Sequence, residues 1–467
     1  MRWPRLISVL IFSACGFQPT SSASDGGIGD GEHDSALATA SRIWVVGDFL
    51  THRIVEAGRF DDDAMLPFGN GRPTPLLVPT GTAVLANESD GYTPLVFDVN
   101  SDGTRTAYVA DLTVADRFDL YVEDAGVPTL LVAGPSNAEI SAIALSPDGS
   151  KIAFASDAAM SGAIDLYVID TSAGASPRLI SPARTGGIPV LEDVAPDASW
   201  SADSRYVAFS GDLGSDGYDQ VYCADTSTMS IAVELLPLAK IATQASGEQG
   251  VRGPLLFDAN DNAYFTARTI ANNPRFQLFR AKPDGSMLSE ITSLAPNRSD
   301  SSTPDFDTIG ITPDGTKLVF SADSPTAMRY DIYVNPIGTA ITTNLTQLGM
   351  SWHPSFGDPL WFSPDGSQLA TVAATTTRLE PYVIPMAGGM LRRLVNVTTS
   401  CGGGVACDAQ LLQWTIDGTA LYAQGDLTTD GTVKLYRLDP TLPDQPPTVA
   451  VDVPAASNTL NVLIRPK

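Results

Sequence analysis

The chain has 467 residues, with 28 Lys and Arg against 53 Asp and Glu, for a formal net charge of −25. That balance repels phosphate backbones and excludes nucleic acid or an anionic membrane surface as the natural partner, while no apolar run reaches the roughly 18 to 20 residues of a membrane span. Hydrophobic residues make up 43%, enough for a large core, and only three histidines, His33, His52 and His353, are available to a Ser-His-Asp or Cys-His device.

Residues 1–23 read as a signal peptide: Arg2 and Arg5 precede an apolar run from Leu6, and small residues follow. Phe12-Ser13-Ala14-Cys15 is similar to the bacterial lipobox. That resemblance implies lipidation at Cys15, and cleavage after Ala23 is the alternative. Residues 24–40 are rich in Gly, Asp and Ser without periodicity, the composition of a flexible linker. The expected location is the bacterial cell envelope, periplasmic or anchored to the outer membrane as a lipoprotein, with secretion as the alternative. The membrane is then met only through the N-terminal lipid.

Residues 41–467 carry a recurring unit, clearest from Leu145 to Asp170. Pro147 presets φ for a turn corner, Asp148 suits the next position, and Gly149 supplies a left-handed residue that closes a hairpin. Lys151 to Ser156 then has the short apolar character of a buried strand, and Leu166 to Ile169 gives another. The second strand of the unit recurs at Ile43–Asp48, Thr106–Asp111, Ile152–Asp157, Val207–Asp212, Ala263–Arg268, Leu318–Asp323, Leu369–Ala374 and Leu421–Asp426. A period of about 50 residues with several strands per period is the signature of a β-propeller.

The turn recurs as Thr312-Pro313-Asp314-Gly315 and Ser363-Pro364-Asp365-Gly366, keeps its Gly at Gly103 and Gly418, and has Ser204 and Asn260 as replacements. The third strand brings one aromatic per unit: Tyr121, Tyr167, Tyr222, Phe279, Tyr333, Tyr382 and Tyr436. Repetition at that spacing marks packing residues, since each ring buries a large area.

Ser-Pro-Asp-Gly, then Lys-Ile-Ala-Phe, then Asp-Leu-Tyr-Val resembles the PD40 repeat, the WD40-like blade of TolB and of the propellers attached to some serine peptidases. The resemblance implies an all-β fold: one propeller of eight four-stranded blades, with seven as the alternative count. Leu463 to Lys467 aligns with Ala144 to Asp148, and Ala40 to Ile43 with Gly149 to Ile152. A C-terminal strand completing blade 1 is therefore expected to close the ring. No stretch matches the α/β domain ahead of the TolB propeller or the α/β-hydrolase domain of the peptidases.

Six second strands end in aspartate: Asp48, Asp111, Asp157, Asp212, Asp323 and Asp426. They read either as local loop acceptors or as an acidic rim for a basic partner. Asp98-x-Asn100-x-Asp102-Gly103 imitates the start of a calcium loop but has Val109 where a bidentate Glu is required. Cys401-Gly-Gly-Gly-Val-Ala-Cys407 fits a disulfide in an exported protein, and Cys223 reads as a buried apolar residue. No catalytic motif, metal site or cofactor is indicated. The expectation is a non-enzymatic, monomeric scaffold that binds an envelope protein; the alternative is a carboxylate-dependent hydrolase or lyase at the central channel.

Overall fold

At Ser146-Pro147-Asp148-Gly149 the chain reverses because Gly149 takes φ 70° and its N–H returns to the Ser146 carbonyl at 2.8 Å. The Asp148 carboxylate accepts the Ser146 hydroxyl at 2.7 Å and the Ser150 N–H at 2.9 Å, so the turn is held from inside. The same bonds recur at Asp314, Asp365 and Asp417. Two copies manage without glycine. Ser204 takes φ 61°, and in the next repeat the left-handed residue is Asp261 at φ 58°, not Asn260, which donates its N–H to Asp258 at 2.8 Å.

The computed structural model describes residues 41–47, 56–62, 74–75 and 460–466 by backbone. Between 96 and 451 it describes all but 111–116, 125–126, 135–139, 160–162, 184–198, 214–218, 238–249, 270–274, 296–303, 324–329, 347–352, 355–359, 375–377, 402–406 and 430–431. The expected signal peptide, Cys15 and the linker lie outside the described residues.

Each repeat forms one antiparallel sheet. In the clearest, Ile140–Leu145, Lys151–Ser156, Asp165–Asp170 and Arg178–Leu179 pair in sequence order. Lys151–Ser156 is buried from its second residue onward because it is covered on both faces, which explains its unbroken apolar run. The third-strand aromatics stack on second-strand rings, as in Phe154–Tyr167 at 5.3 Å and Phe320–Tyr333 at 5.5 Å between centroids.

The described strands form eight such sheets, seven of four strands and one of five, and helix among the described residues is limited to Val397–Ser400 and the short turn Thr292–Leu294. We number them 1 to 8 by their second strands. Sheet 1 combines Ser41–Gly47, Glu56–Asp62 and Thr74–Pro75 with Leu460–Pro466. Sheets 2 to 8 follow within residues 97–132, 140–179, 199–236, 251–290, 306–344, 353–393 and 409–451. Sheet 7 has the fifth strand because its first is broken into His353–Pro354 and Trp361–Phe362. The architecture is that of a β-propeller.

The core sits between sheets. One cluster joins Trp361, Val372 and Val383 of sheet 7 to Trp414, Tyr422 and Tyr436 of sheet 8. The first strands are keyed together in one direction: Trp200 Nε1 donates to Ala144 O at 3.0 Å, and Trp414 Nε1 to Trp361 O at 2.9 Å. A β-carbon at Gly310 would stand 2.8 Å from the Phe362 ring, so glycine there admits the next sheet.

Consecutive sheets also touch at their first turns. Ser101 N donates to Pro147 O at 3.1 Å, Asp148 N to the Ser204 hydroxyl at 3.0 Å, and Gly315 lies against Ala259. Strand pairing puts the third-to-fourth turn at that same end, since Asp170 pairs with Lys151. We call this end the turn edge and the opposite end, where second strands finish, the loop edge.

Candidate functional site

At the loop edge of sheet 6 the second strand, Lys317–Ala322, is followed by Asp323, which is buried. Its carboxylate accepts the Asp305 N–H at 2.7 Å, and its own N–H returns to Asp305 O at 3.1 Å. Asp305 stands just ahead of the first strand, Phe306–Ile311. Its carboxylate in turn accepts the Phe276 N–H of sheet 5 at 2.7 Å and the Tyr330 hydroxyl at 2.9 Å. Asp307, on the first strand, is buried in the same place.

Tyr330 therefore faces three carboxylates inside a desolvated corner. Burial first, then Asp305 by charge and hydrogen bond, then Asp307 and Asp323, push the phenol up, so it stays protonated. On the sheet 5 side the Arg268 guanidinium lies over the Phe276 ring at 4.4 Å. Arg268 occupies the strand-end position that aspartate fills in other sheets, and its N–H donates to Gly250 O as Asp323 donates to Asp305.

A partial copy occurs where sheets 7 and 8 meet. Asp408 accepts the Leu379 N–H at 2.6 Å, its N–H donates to the Asp426 carboxylate at 2.5 Å, and Asp426 N returns to Asp408 O at 3.2 Å. Leu379 is the counterpart of Phe276, and Val433 of sheet 8 stands where Tyr330 stands in sheet 6, three residues before the third-strand aromatic, so no hydroxyl is offered here. Cys401 and Cys407 are joined across this junction with Cα atoms 6.5 Å apart, and Cys401 Sγ lies 3.7 Å from Asp426 O. The short helix Val397–Ser400 precedes them, its first N–H donating to Glu380 at 3.1 Å.

Of the six strand-end aspartates, Asp48 and Asp111 lie outside the described residues, Asp157 is half-buried, and Asp212, Asp323 and Asp426 are buried. Asp323 and Asp426 are buried and do not form an open rim. They bind the residue ahead of their own first strand, which ties the inner strand to its neighbour. Asp305, Asp408 and Tyr330 are the residues the sequence reading passed over. A signal for the first two exists, since Asp305 precedes Thr312, and Asp408 precedes Thr415, by the same seven residues.

The calcium-like segment is consumed by the fold. Asp98 accepts the N–H groups of Val99 and Leu145, both at 2.7 Å, Asn100 accepts Arg105 N at 2.9 Å, and Asp102 accepts Thr104 N at 3.0 Å. Among the described residues no group of three or more His, Cys, Asp and Glu is arranged to hold a metal ion.

No protein-family model matches the sequence, and no curated protein does. Solved structures do. A prolyl endopeptidase is 15% identical over 77% of this chain and 50% of its own, with a TM-score of 0.50. The β-propeller domain of the Trilobed protease from Pyrococcus furiosus is 12% identical over 77% of this chain and 96% of its own, at 0.43. An oligogalacturonate lyase solved with manganese is 13% identical over 86% of this chain and 98% of its own, at 0.47. The chain spans about half the length of the prolyl endopeptidase it matches. At this identity the likeness is one of fold.

Two expectations are corrected here. The non-enzymatic, protein-binding scaffold is not kept, because the fold likeness at a TM-score of 0.50 is to an enzyme, a prolyl endopeptidase. The physical ground for the scaffold weakens as well, since three of the charges meant to recruit a partner, Asp212, Asp323 and Asp426, are buried, the last two bonded within their sheets.

Proposed function

We propose that this chain is the propeller of a carboxylate-dependent hydrolase or lyase, acting where the first strands of sheets 5 and 6 reach the loop edge. The observation that carries the reading is the convergence of Asp305, Asp307 and Asp323 on one protonated tyrosine, Tyr330. Buried ionisable groups that converge on one place mark a candidate site. Asp305, held by the Phe276 N–H, is the positioning residue. Asp307 supplies the base and Tyr330, which keeps its proton, a hydrogen-bond donor, with Arg268 beside them for an anionic group on the substrate.

The test is a panel of peptide and polysaccharide substrates, read for hydrolysis and for the unsaturated products of elimination. Asp307→Asn and Tyr330→Phe should each lower a detected activity by roughly 10² to 10⁴ while leaving the melting temperature within a few degrees. An activity indifferent to both variants would assign the chemistry elsewhere.

The finer architecture belongs to the same proposal. Eight blades form one ring around a central channel, closed where Leu460–Pro466 completes sheet 1, a reading supported by the ladder from Ser41↔Pro466 to Gly47↔Leu460. The repeat motif supports descent from the TolB and PD40 propellers. Residues 1–23 direct export, Cys15 carries the lipid, residues 24–40 are the linker, and the protein works as a monomer in the envelope.

A further inference from the structure

Exposed apolar side chains gather at the turn edge. Of the eleven large ones among the described residues, eight lie in or directly beside third-to-fourth-strand turns. Five consecutive sheets present one at the tip: Met229 at 86% exposure, Met287 at 64%, Ile341 at 70%, Met390 at 90% and Leu442 at 50%. Met287 is held there at φ 56°, a left-handed conformation that a bulky residue rarely adopts. Turn chemistry explains none of this, since turns favour Gly, Asn and Asp at their tips.

The charge pattern and the path of the chain say what covers them. The tips of sheets 4, 6 and 7, at 226–232, 337–342 and 386–391, hold no charged residue in a chain that is 17% charged. The chain also enters this edge: Ser41 opens the second strand of sheet 1 at the end where Asp62 closes the third. By composition the stretch from Cys15 to Ser41 spans roughly 30 Å r.m.s., so a lipid at Cys15 keeps the turn edge within reach of the bilayer.

We propose that the turn edge rests on a membrane of zwitterionic lipid, the apolar tips entering the interface and the loop-edge site facing away. The turn aspartates, Asp148, Asp314, Asp365 and Asp417, share this edge and meet the amine ends of the headgroups, whereas an anionic surface repels them. The membrane is then met by the fold as well as by the lipid. The argument from chain entry rests on the proposed lipidation; the apolar tips stand without it.

Hydroxyl-radical footprinting tests this on the mature protein as purified from cells, with and without vesicles of phosphatidylcholine and phosphatidylethanolamine. Oxidation of Met229, Met287 and Met390 should fall at least about threefold on the vesicles and recover as phosphatidylglycerol replaces half the lipid. The variant Met229→Asp/Ile341→Asp/Met390→Asp, altered only at exposed tips, should restore oxidation of Met287. Unchanged oxidation overturns the proposal. So does equal protection in concentrated protein without lipid, which would make a second copy of this chain the occupant.

Discussion

Ser204 holds a left-handed backbone at φ 61°, yet its hydroxyl accepts the Asp148 N–H at 3.0 Å and so stitches sheet 4 to sheet 3. Two terms of similar size oppose each other: a left-handed cost of about 1 to 2 kcal/mol and a hydrogen bond of about 0.5 to 1.5 kcal/mol. Ser204→Gly should therefore change stability little, while Ser204→Ala keeps the strain, loses the bond and should cost about 1 kcal/mol in urea unfolding. Equal effects of the two would mean that the bond contributes nothing. The cysteines give a second test at this scale. Burial pushes the Cys223 thiol up and shields it, so native protein should resist labelling. After unreduced denaturation one thiol should react, and labelling of Cys401 or Cys407 would count against the bridge.

The first turn of each sheet is the element on which the others depend, because it sets the register of two strands and touches the preceding sheet. Gly315 and Gly366 both need a positive φ, 67° and 65°, but their surroundings differ. A β-carbon at Gly315 would stand 2.7 Å from Ala259 Cβ and 2.9 Å from its backbone nitrogen, whereas at Gly366 the nearest atom is Pro313 Cδ at 3.6 Å. Gly366→Ala should cost only the left-handed strain, about 1 kcal/mol, and Gly315→Ala a further 1 to 3 kcal/mol, roughly, for the clash. Denaturation midpoints of the two variants side by side decide it; equal losses would show that the sheet 5 to sheet 6 junction can yield.

For the molecule as a whole, the proposed closure makes sheet 1 depend on both ends of the described chain. Its innermost strand is Leu460–Pro466, so removing residues 457–467 exposes the edge of Ser41–Gly47 and opens the contact between the last sheet and the first. The expected outcome is cooperative loss of stability with aggregation, measured by differential scanning calorimetry and light scattering. Unchanged melting would mean that the ring does not close through this strand. The propeller fold also explains how one chain can separate two surfaces, a polar site at the loop edge and an apolar fringe at the turn edge, since strand direction alone sends each class of connection to its own end.

The architecture was legible in the sequence because its causes are local. Ser-Pro-Asp-Gly sets a turn by φ preferences and side-chain bonds within five residues, and an apolar run such as Lys151–Ser156 announces a strand buried on both faces. Even the pairing of Leu460–Pro466 with Ser41–Gly47 could be aligned from the repeat. The fate of the aspartates was not legible. Whether Asp323 faces water or the N–H of Asp305 depends on how its own first strand is set beside it; of what Asp305 then reaches, Tyr330 lies in the same sheet, and Phe276 is brought in by the packing of the neighbouring sheet. Identical letters at equivalent positions thus meet different surroundings. Local chemistry determined the repeat, and only the tertiary structure decided which carboxylates hold the inner strands in place and which converge on a tyrosine, because burial and partner choice arise from strands set side by side within a sheet and from packing between sheets, not from neighbours in the sequence.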